Sequence, residues 1–132
     1  MAWKRSILLV DDEISILRTL RMVFEHEGYE VATAENSADA LKLLASNGHF
    51  DAIITDLNME REDVGLEVAR TALKCKPKPA VVICTGFAST NNSRAALELG
   101  IDYIAHKPVE LSDLIVALNR LISKYRDEGA RN

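Results

Sequence analysis

The segment SILLVDDE, residues 6–13, decides the fold. Four apolar residues follow one another without alternation, and the chain then breaks into three acids. A strand with one wet face would alternate apolar and polar residues. A continuous run of strand length implies burial on both faces, as in a parallel sheet covered by helices on each side. The same signature recurs in DAIIT (51–55), AVVIC (80–84) and, more weakly, DYIA (102–105). YEVATA (29–34) is shorter and alternates better, which suits an edge strand.

Helical spacing fills the intervals. Ile14, Leu17, Leu20 and Phe24 stand three and four apart, as do Leu41 with Leu44, and Leu66 with Ala69 and Leu73. The last stripe is the clearest, through Leu111, Leu114, Ile115, Leu118, Leu121 and Ile122. Gly28, Gly48 and Gly100 sit where helices should stop, and Ser37 is the expected N-cap of the second helix. Strand and helix thus alternate through five units with short connections, which predicts an α/β doubly wound domain. Right-handed crossovers leave few strand orders, of which the flavodoxin-like 2-1-3-4-5, with helices on both faces, suits the length. One domain over 1–132 is expected, with its core at about 5–125 and a frayed tail at 126–132.

Composition narrows the function. A net charge of −4 and a pI near 5.4 provide no global attraction to nucleic acid or to an anionic membrane. The apolar run at Ile7–Val10 is too short for a signal-peptide core or a membrane span, so a cytoplasmic protein is expected. Cys75 and Cys84 have no redox or zinc spacing, and His26, His49 and His106 lack metal-ligand spacing relative to one another. Trp3 and Phe87 could mark contact surfaces, although a single aromatic residue more often serves packing.

In open parallel sheets, ligands bind at the carboxyl ends of the strands. Asp11, Asp12 and Glu13 stand there after the first strand, Asp56 at the third, Thr85 with Gly86 at the fourth, and Lys107 with Pro108 at the fifth. Carboxylates about 4 Å apart repel by several kcal/mol per pair at an effective dielectric near 20. A raised pKa, a lysine or a hard divalent cation must offset that repulsion. Lys107 supplies one positive charge, and the remaining negative excess asks for a metal ion. Singly, each residue has an ordinary alternative: Asp11 and Asp12 as helix caps, Asp56 as a loop acid, Thr85 as a turn hydroxyl, Lys107 as a solvated charge. Their conjunction on one edge carries the reading.

The constellation resembles the receiver domain of two-component response regulators over essentially the whole chain. That family has an acidic pair after the first strand, a phosphoacceptor aspartate after the third, Thr or Ser after the fourth and Lys-Pro after the fifth. The resemblance implies that Asp56 takes a phosphoryl group from a sensor histidine kinase or phosphotransfer protein. It implies Mg²⁺ (or Mn²⁺) on Asp11, Asp12, Asp56 and the backbone carbonyl of Asn58, and phosphoryl contacts from Lys107 and Thr85. It also implies a switched protein-binding face, an unidentified downstream protein, a possible phosphorylation-dependent homodimer, and catalysis confined to the protein's own phosphorylation and slow dephosphorylation. The chain departs from the pattern in three places. Glu60 replaces a common proline, Gly65 lies nine rather than eight residues after Asp56, and Ile104 stands where a switching aromatic is usual, with Tyr103 one residue earlier. Glu60, Glu62 and Asp63 are read as solvated charges of this lengthened loop. Two other readings use the same residue types: a magnesium-dependent phosphatase with an aspartate nucleophile, and a degenerate receiver that binds partners without phosphorylation.

Overall fold

The computed structural model describes residues 4–46, 49–86 and 90–131, with side chains at all of these except 90–93 and 129–131. Trp3, Gly48 and Phe87 lie outside the described residues. The elements run β1 (Ser6–Val10), α1 (Ile14–His26), β2 (Glu30–Ala34), α2 (Ser37–Ser46), β3 (Ala52–Asp56), α3 (Val64–Leu73), β4 (Ala80–Thr85), α4 (Thr90–Leu99), β5 (Tyr103–His106) and α5 (Leu111–Arg131). All strand pairings are parallel, in the order β2-β1-β3-β4-β5. The uninterrupted apolar runs are the central strands, and the alternating segment is the edge strand β2, as their patterning predicts.

Because successive side chains leave a strand on opposite faces, each run feeds two cores. Leu8, Ile53 and Val81 meet Ala40 of α2, Val68 of α3 and Ala96 of α4 on one face. Ile7, Leu9, Ile54 and Val82 meet Leu17 and Phe24 of α1 and Leu114, Leu118 and Ile122 of α5 on the other. Fully burying a side chain of this size contributes roughly 1.5–3 kcal/mol, so the two layers together define the strand order. Ile14, placed on the apolar stripe of α1 by its spacing, is instead 49% exposed, because it occupies the first turn, beyond the last residue of β1.

The helix ends follow local chemistry. At Gly28 (φ +91°) and Gly100 (φ +93°) the chain enters the left-handed region, and the following amides, Tyr29 and Ile101, bond back to Phe24 and Ala96. Ser37 does not cap α2. It is the first helical residue, and Asn36 caps instead through Oδ1 to the Asp39 amide at 2.8 Å. Helix α5 continues to Arg131, past residue 125 where the sequence reading ended the core.

One tie to that extension is Asp51, at the amino edge of the sheet. Its side chain is 5% exposed, and its carboxylate accepts from the Ser6 amide (2.8 Å), Arg126 Nη2 (3.0 Å) and His49 Nε2 (3.2 Å). One buried acid therefore ties β1, β3 and α5 together. Asp51→Ala would leave these donors without their acceptor and should cost about 3 kcal/mol in urea unfolding. Since the opposite edge of the sheet lies a strand length away, roughly 16 Å, the residues there should be undisturbed in the folded variant.

Candidate functional site

Strand register brings the polar residues level. Val10 pairs with Thr55, Asp56 with Cys84, and Thr85 with His106, so the residues after these strands emerge on one edge. The ladder then runs one bond further. The Asp11 amide donates to Ala34 O, Leu57 to Cys84 O, and Lys107 to Thr85 O at 2.8 Å, which fixes the backbone where the reactive side chains begin. Residues far apart in sequence thus share a site because hydrogen-bonded strands are in register.

Asp11, Asp12 and Asp56 each place a carboxylate oxygen within 4.8 Å of the others. Asp11 and Asp56 are buried and Asp12 is exposed, so the cluster opens to solvent on one side. Lys107 Nζ lies 3.2 Å from Asp56 Oδ2 and 3.4 Å from Asp11 Oδ2. The other Asp11 oxygen accepts from the Glu13 amide at 2.9 Å, so Asp11 also braces the entry to α1. Thr85 is buried at the end of β4. The sequence-predicted residues Asp11, Asp12, Asp56, Thr85 and Lys107 are therefore all at one edge, and Asn58 lies two residues beyond Asp56 on the exposed loop.

Charge does not balance in this cluster. Burial raises the Asp56 pKa, Lys107 opposes that and Asp11 adds to it, leaving the carboxyl above the ordinary range. Burial lowers the Lys107 pKa, but Asp56 and Asp11 outweigh it, so the ammonium holds its proton more firmly than usual. The two directions are compatible because one ammonium is shared between two buried acids. Three carboxylates against one ammonium leave two negative charges over. A divalent cation with oxygen ligands fits both that excess and the hard donor set.

The loop from Leu57 to Val64 is more ordered than a run of acids suggests. Gly65, in the first turn of α3, donates its amide to Leu57 O at 2.8 Å. Asn58 Oδ1 accepts from the Asp63 amide at 2.7 Å. Asp63 adopts a left-handed conformation (φ 60°), and its Oδ1 is buried with no hydrogen-bond partner among the described residues. Aspartate is among the few non-glycine types that tolerate this conformation. Glu60 reaches across to α2 and accepts from the Ser37 amide at 2.7 Å. Burial is the largest single influence on the Glu60 pKa and raises it, but the hydrogen bonds at Ser37 and at its own backbone, with the Arg61 charge, together outweigh it and hold the group below its ordinary value. Glu60 and Glu62 are exposed, as expected from sequence, but Glu60 is also bonded to α2 and Asp63 is half-buried in the turn. Nothing in a run of acids distinguishes the one that reaches a helix 23 residues earlier.

Beside the acids, a cleft of about 600 Å³ opens between α1 and the β5–α5 connection, with Ile16, Leu20, Val109 and Leu111 along its walls and Asp56 and Lys107 at its end. Ile104 packs into the α2–α3–α4 core, while Tyr103 is exposed, as their opposite strand parity requires. The position expected to carry a mobile aromatic is thus filled by a packed aliphatic. Cys84 lies under the acids. Burial foremost, with Asp56 and Asp11 adding, pushes its thiol up to about 12. Only the thiolate reacts appreciably with a disulfide reagent. In the folded protein the half-buried Cys75 should label first, and Cys84 only upon unfolding; equal labelling of both would contradict the buried position of Cys84.

Comparison with known proteins places this geometry. A family profile described as the response regulator receiver domain matches residues 7–119. Response regulator MprA of Mycobacterium sp. (strain KMS) is 33% identical over 124 residues, covering 93% of this chain and 53% of MprA. The transcriptional regulatory protein GlrR of Escherichia coli (strain K12) is 34% identical over 113 residues, 86% of this chain and 25% of GlrR. The chain therefore spans about half the length of MprA and a quarter of GlrR. Among solved structures, a CheY-like receiver domain from Methanospirillum hungatei JF-1 superposes with TM-score 0.88 at 30% identity, covering 96% of this chain and 99% of that one. A response regulator from Burkholderia pseudomallei, solved with a phosphorylated aspartic acid, a calcium ion and citrate, gives TM-score 0.80 at 28% identity, over 96% of this chain and 74% of that one.

Proposed function

Because the chain belongs to the response regulator receiver domain family, we propose that it is a phosphoacceptor that takes a phosphoryl group onto Asp56 and signals through a protein-binding face. The observation that carries this reading is the placement of Asp56. It is buried at the end of β3, has Asp11 and Asp12 beside it, and lies 3.2 Å from Lys107 Nζ. The donors in this reading are a sensor histidine kinase or a phosphotransfer protein. The Burkholderia relative, with its phosphorylated aspartic acid and calcium ion, supports both the modification and a divalent site in this family.

Asp56 is the nucleophile, and its oxygen attacks phosphorus as the bond from phosphorus to the donor nitrogen breaks, the electron pair leaving with that nitrogen. No general base is needed, since a carboxylate acts as a nucleophile in its ionised form, which the Lys107 ammonium at 3.2 Å favours. The obstacle is the approach of one anion to another. Asp11, Asp12, Asp56 and the Asn58 carbonyl would hold Mg²⁺ or Mn²⁺. When bound, that cation supplies charge neutralisation and orientation of the phosphoryl group. Lys107 donates to one phosphoryl oxygen and the Thr85 hydroxyl to another, where charge develops on the equatorial oxygens. Because Lys107 follows Thr85 through a backbone bond (2.8 Å), movement of the Thr85 loop toward a phosphoryl group is transmitted to β5. Ile104, packed where an aromatic would swing, directs that output through the loop rather than through a ring.

Incubation with an acyl phosphate and Mg²⁺, followed by intact-mass measurement, tests the reading. One phosphoryl group should be gained. If no adduct forms at any magnesium concentration, the chain binds partners independently of phosphorylation. If a phosphate ester is turned over continuously, the chain is a phosphatase with an aspartate nucleophile.

A further inference from the structure

The β3–α3 loop has a fastening to α2 that the phosphoacceptor reading does not use. Glu60 Oε1 accepts from the Ser37 amide at 2.7 Å, although the two residues are 23 positions apart. Ser37 opens α2, so this amide has no acceptor within its own helix. Another amide of that first turn, at Asp39, is taken by Asn36 Oδ1. Glu60 therefore supplies one acceptor to the N-terminus of α2 from outside, with a charge of the sign that a helix start prefers.

The geometry ties this contact to the acidic edge from two directions. Along the loop, Glu60 lies two residues beyond Asn58, whose side chain holds the far limb of the loop at Asp63 (2.7 Å). Along the sheet, the residues leading into α2 leave β2 at Ala34, whose carbonyl receives the Asp11 amide at 3.1 Å. The loop is thus fastened at Gly65 to Leu57, at Asp63 to Asn58 and at Glu60 to Ser37. Only the last of these fastenings reaches a different helix.

We propose that Glu60 is a positioning residue: its bond to the Ser37 amide holds the β3–α3 loop against the start of α2, sets the Asn58 carbonyl for a divalent cation, and couples cation binding to the order of the first turn of α2. This rests on the metal-site reading given above. Coupling of this kind is reciprocal, so the cation must also tighten the contact that favours it.

The test uses the unphosphorylated 132-residue chain. Mg²⁺ affinity is measured by calorimetry, and exchange of the Ser37 amide is followed by NMR with and without Mg²⁺. In the wild type, Mg²⁺ should slow Ser37 exchange. Glu60→Ala should weaken Mg²⁺ binding about fivefold, the low end of ordinary coupling, and abolish the effect of Mg²⁺ on Ser37. Glu60→Gln, which keeps an acceptor oxygen, should recover most of both. Glu62→Ala, which removes one exposed charge from the same loop, should change neither. The proposal fails if Glu60→Ala binds Mg²⁺ as the wild type does. It also fails if Glu60→Gln or Glu62→Ala weakens binding as much as Glu60→Ala, because the effect would then be one of net charge. Absence of Mg²⁺ binding by the wild type would instead overturn the metal-site reading, and the proposal with it.

Discussion

Asp56→Asn is expected to abolish the phosphoryl adduct and, in metal-free buffer, to make the protein more stable. The first effect follows from losing the nucleophilic carboxylate. The second follows from its surroundings. Burial, with Asp11 adding, raises the Asp56 pKa against the opposing pull of Lys107, so ionisation costs folding free energy. A neutral amide of the same shape removes that cost and still offers Lys107 an acceptor oxygen. A gain of about 1 kcal/mol, or about 4 °C in Tm for a chain of this length, is expected. The sign with pH is fixed. A carboxyl whose folded pKa is raised contributes stability below its unfolded pKa and loses it as pH rises through the folded value. The gap between variant and wild type should therefore be widest near neutrality and close as the solution is acidified through the carboxylate range. Mg²⁺ should reverse the order. At about 100 times its Kd it adds roughly 2.7 kcal/mol to a protein that binds it only when folded, and the variant, with an amide in place of one ligand carboxylate, forfeits much of that. Calorimetric scans in chelator and in Mg²⁺, at two pH values, check all three statements. A variant less stable than the wild type in chelator would contradict the charge imbalance described for the site.

Gly65→Ala should be among the most damaging single substitutions. Gly65 has no unusual φ; its constraint is space. A methyl group there would overlap the carbonyl oxygen of Asp56 and come within 2.8 Å of Leu57 Cα. Both obstacles are backbone, one of them held by the bond from the Gly65 amide itself, so no side-chain rotation relieves them. Either α3 lifts off the end of β3 or the Asp56 peptide moves. Overpacking normally costs about 1–3 kcal/mol, and a clash between backbones belongs at or above the top of that range. A loss of about 4 kcal/mol and a fall in Tm of more than about 10 °C are expected. Displacement of Asp56 by even a fraction of an ångström should also slow phosphorylation at least tenfold in molecules that remain folded. Gly28→Ala is the informative contrast. Nothing lies within 4 Å of a methyl group at Gly28, and only the positive φ opposes it, so about 1–2 kcal/mol should be lost with no change at the site. Equal effects for the two substitutions would remove the argument from close approach.

The clustering of the polar residues at one edge was legible in the sequence because each is tied to a strand end. A continuous apolar run is a strong signal, and the residue that terminates it has a position as soon as the sheet is assumed. Asp11, Asp12, Asp56, Thr85 and Lys107 all follow such runs, which also fix the parallel order through the need to cover both faces. The resemblance added roles to residues whose place was already set.

Other features were decided by tertiary contacts. Asn36 rather than Ser37 caps α2, a choice of one residue made by backbone geometry. Asp51 opens a strand like any polar flanking residue, yet it joins β1, β3 and the far end of α5. Glu60 sits among similar acids and is distinguished only by the helix start that folding brings within 2.7 Å. The sequence by itself determined the layers and the acidic edge, because apolar periodicity and strand termini are local properties. The fastening of the loop and of the last helix was decided in the folded chain alone, since a polar side chain acquires a partner only where distant backbone amides and charges converge.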